Sequence, residues 1–309
     1  MNRRHFFQCM ALSGIVVLGS QNAAEAARVV SKAAQTISKS GNGFTLWQIP
    51  SQINTIGNSY VLITNKGRIV VMDGGVKEET PFLRGFLGAL GNEVEAWFIS
   101  HPHNDHMGAL NEILKSPGQL RINRIYHSRF SPELLKQEPE HLPFSTDFYQ
   151  HLDEGKFPVT DLREPGLELK IDALHIKILG VTNEEYHQNP YNNSSTVIRV
   201  WDRHKSVVFL GDAGVECGNK VLRGPYGHYL NCDYLQMAHH GQQGCDEAFY
   251  KTIQFRACLW PTPSWVWNND AGKGINTAHL KTFDTRRWMD EKGIREHHVS
   301  CLEGLWRLD

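Results

Sequence analysis

The stretch Ser100-His101-Pro102-His103-Asn104-Asp105-His106-Met107-Gly108 constrains this chain more than any other. It packs three histidines and one carboxylate into a few positions. The apolar run Val94 to Ile99 precedes it and reads as a buried strand. Met107 to Leu114 follows and reads as a helix. The ligand-type side chains therefore stand on a strand-to-helix turn. Pro102 fixes its own φ and pushes His101 towards extended backbone, where residues two apart point the same way. His101 and His103 are thus expected to aim at one point. Asp105 and His106, opening the helix, are expected to aim at a second point nearby. Imidazole and carboxylate without thiolate suit zinc, manganese or iron.

The chain has 309 residues, 40% of them hydrophobic and 21% charged, which fits one large globular domain or two small ones. A formal net charge of -1 offers no basic field to hold long nucleic acid. The N-terminus has the organisation of a targeting segment. Arg3-Arg4 stands ahead of Phe6-Phe7, Ala11 to Gly19 is a short apolar core, and Ala23 to Ala27 offers a small-x-small cleavage site. Residues 1–27 resemble a bacterial twin-arginine export signal, with an ordinary secretory signal as the alternative. The apolar run is shorter than the roughly 18–20 residues a retained membrane anchor needs. The expectation is an exported protein, periplasmic or extracellular in a bacterium, with a linker over 28–42 and one domain over 43–309. Five cysteines follow the signal: Cys217, Cys232, Cys245, Cys258 and Cys301. None forms a Cys-x-x-Cys pair, and the odd count leaves at least one thiol unpaired. One or two disulfides and mostly buried thiols both fit.

Ser59 to Thr64 and Arg68 to Gly75 read as a hairpin that ends in Asp73-Gly74-Gly75. Thr196 to Trp201 and Lys205 to Asp212 form a second strand pair, ending in Gly211-Asp212. Asp212 is the kind of carboxylate that bridges two metal ions. A further strand, Asp233 to Ala238, runs into His239-His240-Gly241. Helices are expected over Thr80 to Leu90, Val215 to Leu222, Glu247 to Ile253 and Leu280 to Lys292, and further short strands over Ile122 to His127, His298 to Cys301 and Leu305 to Leu308. Pro132 to Gly155 is a helical pattern broken by Pro139 and Pro143. Strands then helices, twice over on a similar plan, fit an α/β chain folded as a four-layered αββα sandwich.

His-x-His-x-Asp-His after an apolar strand resembles the metallo-β-lactamase-fold superfamily of metal-dependent hydrolases. The chain order is Asp-Gly-Gly, the histidine cluster, Asn192-Asn193-Ser194-Ser195, Gly-Asp and His-His-Gly. That order is most similar to the branch that includes the nuclease-like domain of bacterial competence (DNA-uptake) proteins. Phosphorylcholine esterases of the same fold share related features. The resemblance implies two divalent ions, Zn2+ first, with Mn2+ or Fe2+ as alternatives. Their ligands would be His101, His103, Asp105, His106, Asp212 and His240. Asp73 would support the site from behind. Asp105 would also orient a metal-bound hydroxide, and His239 would face the substrate as an acid or phosphate contact.

One departure bears on function. Many superfamily members place a third histidine for the first ion between the histidine cluster and Gly-Asp. Here His127, His141, His151, His175, His187 and His204 occupy that interval, none in a Gly-His-Thr setting. Asn192-Asn193-Ser194-Ser195 stands there instead, so water or an asparagine would complete the first ion, with Asn193 counted behind the ligands. This counts against β-lactamase or glyoxalase-like chemistry. It leaves hydrolysis of a phosphodiester or related phosphoester by a dinuclear-metal-activated water, on a small or short substrate. An ester, thioester or lactam hydrolase of the same fold is the alternative, as is a non-enzymatic metal- or ligand-binding protein. The sequence leaves the oligomeric state open.

Overall fold

The structure, a computed structural model, describes residues 43–309. The expected export signal and the linker over 28–42 lie outside the described residues. In chain order the first strands are β1 (Phe44–Gln48), β2 (Ser59–Thr64), β3 (Ile69–Asp73), β4 (Glu93–Phe98), β5 (Arg121–Ile122), β6 (Ile125–His127) and β7 (Val159–Asp161). Then come β8 (Glu168–Ile171), β9 (Leu174–Gly180), β10 (Val197–Trp201), β11 (Ser206–Phe209), β12 (Tyr234–Gln236), β13 (Ala257–Trp260) and β14 (Glu296–Val299), before β15 (Trp306–Leu308). One sheet runs β15-β1-β2-β3-β4-β6-β7, with β5 also paired to β4; the other runs β14-β13-β12-β11-β10-β9-β8.

Period-two alternation builds the layers. In β2, Tyr60 and Leu62 turn towards the other sheet, where they meet Ile176, Ile178, Val207 and Phe209. Val61 and Ile63 turn the other way, to a core shared with the first four helices. These are α1 (Thr80–Ala89), α2 (Asn104–Lys115), α3 (Pro132–Leu135) and α4 (Leu142–Asp153). The second sheet repeats the device. Val208, Leu235 and Cys258 turn outward to meet Cys217, Phe249 and Met289. Those residues belong to α5 (Val215–Arg223), α6 (Glu247–Thr252) and α8 (Thr282–Lys292), with the short α7 (Ser264–Trp267) and α9 (Ser300–Glu303) beside them. Three apolar cores between four layers make the expected αββα sandwich.

Two elements differ from the sequence expectation. The run expected as one strand over Ile122 to His127 divides into β5 and β6, both parallel to β4 in one continuous register, with Asn123-Arg124 between them. The strand expected from His298 to Cys301 runs instead over Glu296–Val299, and Ser300–Glu303 coils into α9. All five described cysteines are free thiols. Among the described residues, no helix is long and apolar enough to cross a membrane.

Candidate metal centre

Strands β3, β4, β11 and β12 all deliver their carboxyl-terminal ends to one edge of the sandwich. Rigid strands with ligands at their ends hold side chains more precisely than free loops do. Helix α2 starts here as well. His103 is its N-cap in extended backbone, with φ -76° and ψ 148°, and Asp105 lies in its first turn. The α2 backbone is tied down by hydrogen bonds from Ala109 N to Gly75 O and from Asn58 N to Asp105 O, each 3.0 Å. On the opposite sheet the two amide hydrogens of Leu210 and Gly211 donate to Gln236 Oε1 at 2.7 and 2.8 Å. Gly211 has φ +57°, and a Cβ there would meet Ser100 Cβ at 2.8 Å, so the two sheets approach closely where the ligands stand.

Ligand-type atoms of Asp105, His106, Asp212 and His240 converge within 4.8 Å of one another. His106 Nε2 lies 3.1 Å from Asp212 Oδ1 and 3.6 Å from Asp105 Oδ2. His240 Nε2 lies 3.1 Å from Asp105 Oδ2 and 3.4 Å from Asp212 Oδ2. The other nitrogen of each ring is spoken for. His106 Nδ1 donates to Asp73 Oδ2 at 2.8 Å, and His240 Nδ1 donates to Pro261 O at 2.9 Å. Each Nε2 atom therefore faces inward and presents a lone pair once it gives up its proton, as metal-binding imidazoles do. His106 Nε2 and Asp212 Oδ1 are buried and have no hydrogen-bond partner. Buried polar atoms in native proteins are almost always satisfied, so this donor set fits a divalent ion.

Electrostatics agree. Burial opposes charge on His106, yet Asp212, Asp105 and Asp73 hold its imidazole well above the usual value. Burial likewise opposes charge on His240, and Asp212 and Asp105 push it up to about 9. Asp212 and Asp105, despite burial, sit below the ordinary carboxylate range because of these histidines. Two buried carboxylates draw cationic charge onto two imidazoles, and a divalent ion supplies the same charge.

Asp73 stands behind this cluster with φ +56°, a left-handed backbone uncommon outside glycine. Its Oδ1 accepts the Ser100 amide hydrogen at 2.7 Å. Its Oδ2 accepts from Asn58 Nδ2 at 2.7 Å, Ser100 Oγ at 2.9 Å and His106 Nδ1. His239 and His240 also have positive φ, 51° and 53°, strain that turns one ring into the cluster and leaves the other at its rim. His239 Nε2 lies 3.7 Å from Asp212 Oδ2 and 3.5 Å from the Asn192 amide. Burial lowers its imidazole below the usual value.

His101 and His103 form a pair beside the cluster, with Nε2 of one 2.9 Å from Nδ1 of the other. No third His, Cys, Asp or Glu converges with both of them among the described residues. Ser195 Oγ occupies the far side of His101, 3.4 Å from Nδ1, and accepts the Asp212 amide hydrogen at 3.1 Å. His187 is remote, bonded to Gln137 near the surface. Asn193 requires a correction. It does not reach the ligands: its Oδ1 accepts the Cys217 amide hydrogen at the start of α5, and its Nδ2 donates to Gln188 O and Glu216. The neighbouring Asn192 is the asparagine that meets His239, because the turn at Asn192–Ser194 points successive side chains in different directions.

Sequence reasoning gave no role to Ser100, Asn58, Gln236 or Glu138. Glu138 Oε2 lies 2.9 Å from His103 Nε2, and its Oε1 accepts the Tyr191 amide hydrogen at 3.0 Å. Nothing in the local spacing signals such contacts, which come from distant stretches of chain. Ser100 alone carried a signal, as the polar residue directly between a buried strand and the histidines.

A family profile described as the metallo-beta-lactamase superfamily matches residues 54–242. No curated protein sequence matches. Among solved structures, the chain is similar to the metallo-beta-lactamase fold protein YhfI from Bacillus subtilis, at 14% identity and a TM-score of 0.51, covering 85% of this chain and 99% of that one. It is also similar to CmlA, a diiron beta-hydroxylase from Streptomyces venezuelae, at 11% identity and a TM-score of 0.51, covering 87% of this chain and 54% of that one. At these identities the likenesses speak for the fold alone. The profile match, spanning the Asp73 strand through the His239-His240 turn, makes this chain a member of the metallo-β-lactamase superfamily.

Proposed function

We propose that the protein is a metal-dependent hydrolase of small phosphodiesters or related phosphoesters. The observation that carries the reading is the convergence of Asp105, His106, Asp212 and His240 around buried, unpartnered ligand atoms. These four residues would hold one divalent ion, with His103 beside it contributing to a second; zinc, manganese and iron all suit the donor set. Such ions supply positive charge for a developing oxyanion and a water whose pKa falls towards about 7. The chain's own groups do the rest. Asp105, with a side chain 19% exposed against 2% for Asp212, is the carboxylate that reaches the solvent side and orients the attacking water. His239, also 19% exposed, stands at the rim beside Asp212. Burial lowers its pKa and keeps the ring neutral at neutral pH, a polar contact for the substrate at that rim. The Asn192 amide lines the same side.

The departure from the third-histidine pattern supports phosphoester chemistry over lactam or thioester chemistry, and the near-zero net charge supports small substrates over long nucleic acid. The motif order supports a place near the competence-protein-like branch, and Arg3-Arg4 supports export in the folded, metal-loaded state. Metal-loaded protein should hydrolyse bis-nitrophenyl phosphate or nitrophenyl phosphorylcholine, and Asp212→Ala should abolish this. Turnover of nitrocefin or an acyl thioester instead would overturn the substrate class. Bound metal with no turnover of any of the four would favour a binding protein.

A further inference from the structure

Outside the four-ligand cluster, one other group of ligand-type atoms converges among the described residues: His103, Glu138 and His141. It lies on the outer side of His103, where the segment between β6 and β7 folds over the histidine turn. Glu138 Oε2 is 2.9 Å from His103 Nε2 and 3.8 Å from His141 Nε2. The two imidazole centroids are 4.2 Å apart. Ligand atoms around a tetrahedral zinc stand about 3.3 Å apart, given Zn–N bonds of ~2.0–2.1 Å. The observed separations bracket that value.

The 2.9 Å contact between His103 Nε2 and Glu138 Oε2 is one that a divalent ion can enter by displacing the proton the two groups share. Glu138 is already oriented for this, since the Tyr191 amide hydrogen holds its other oxygen. Tyr191 also stacks on the His103 ring, with centroids 5.1 Å apart. Side-chain exposures of 10% for His103, 12% for Glu138 and 35% for His141 leave an entry path from solvent.

We infer that the second divalent ion of this chain binds to His103 Nε2, Glu138 and His141, not between His101 and His103. The segment between β6 and β7 thereby supplies the ligands that the missing third histidine would have given. Two imidazoles and one carboxylate suit Zn2+, Mn2+ or Fe2+, with water in the remaining positions. The inference shares with the proposed function only the premise that metal binds at all, so metal counts decide it and turnover does not.

The test is elemental analysis of the purified protein, stripped with chelator and reloaded with Zn2+, in parallel with Co2+ titration read by visible absorption. Wild type should bind two ions, and His141→Ala and Glu138→Gln should each bind one. His141 makes no side-chain cap to α4, so the alanine variant keeps the fold; circular dichroism of the stripped proteins verifies this. The decisive variant is His141→Ala, because Glu138 would also matter if it only oriented His103. Two ions retained by His141→Ala would overturn the inference and place the second ion between His101 and His103. A single ion in the wild type would overturn it too. An inactive enzyme with two ions, one of them lost in His141→Ala, would keep the inference and refute the proposed function.

Discussion

Replacing Asp73 with asparagine removes a charge while keeping a shape, and the structure states where the loss falls. The carboxylate accepts four hydrogen bonds: Ser100 N–H on Oδ1, and Asn58, Ser100 Oγ and His106 Nδ1–H on Oδ2. An amide has one oxygen. If that oxygen takes the Oδ2 position, the new NH2 confronts the Ser100 amide hydrogen, leaving a buried donor unpaired at a cost of about 1–3 kcal/mol. If the amide is flipped, the NH2 confronts three donors instead, and His106 must turn its proton to Nε2, the atom that faces the ligand cluster. The first orientation wins, and the three remaining bonds drop from charge-assisted to neutral strength, roughly another 1 kcal/mol in sum. The metal-free variant should therefore unfold about 2–4 kcal/mol more easily in urea. Its affinity for zinc should fall about 10–100-fold, the usual effect of losing the carboxylate behind a metal-bound histidine. Competition against a chromogenic chelator gives the affinity, and a urea titration of stripped protein gives the stability. Wild-type zinc affinity in Asp73→Asn, with His106→Ala strongly weakened in the same assay, would refute the idea that Asp73 presets the His106 tautomer.

Further outcomes follow from the same geometry. Metal-free protein should lose stability as pH rises from about 6.5 to 9: His240 is held up to about 9 in the fold, so its contribution is complete below its unfolded value near 6.5 and gone above 9. Zinc binding should strengthen across the same window because the ion no longer displaces protons, so the melting temperature of stripped protein should fall with pH while that of loaded protein stays nearly level. Glu79 is pushed up to about 7 by burial under the loop that carries Gln52; Glu79→Gln should raise the melting temperature above pH 7 and leave it nearly unchanged at pH 5. Gly108→Ala places a Cβ 2.7 Å from the Lys77 backbone nitrogen, which cannot yield; the start of α2 must shift, and zinc affinity should fall at least tenfold while β-sheet circular dichroism persists. Changing Arg3-Arg4 to Lys-Lys should leave unprocessed protein in the cytoplasm of a bacterial host, measured by fractionation and immunoblot.

The sandwich was legible because its strands alternate faithfully. Tyr60 and Leu62 against Val61 and Ile63 state two buried faces, and two buried faces on an antiparallel pair require a layer on each side. The ligands were legible because they crowd one turn or end a strand. Asn193 misled for a reason that spacing cannot repair: in a one-turn coil, adjacent side chains diverge by about 100–120°, so choosing between Asn192 and Asn193 needs the coil's phase. The histidine departure was legible as an absence, but what stands near it was not. Glu138 and His141 are 35 and 38 residues beyond His103, in a segment whose composition announces only interrupted helix.

The supports are harder to read than the ligands because of what each must do. A ligand is constrained by the ion's chemistry, so its residue type is one of a few. The group behind a ligand needs only a lone pair in the right place, and the fold finds one wherever the chain passes. For His106 it is a carboxylate at the end of β3, for His101 a serine hydroxyl at the end of β4, and for His240 the carbonyl of Pro261 after β13. The last of these has no side chain to read at all. Yet these three acceptors decide which nitrogen of each ring is free to bind. His103 is the exception, facing a carboxylate and a second imidazole on its outer side. A ring whose outer nitrogen meets two further ligand-type groups is built to share an ion there, whereas a ring backed by one fixed acceptor is built to be aimed inward.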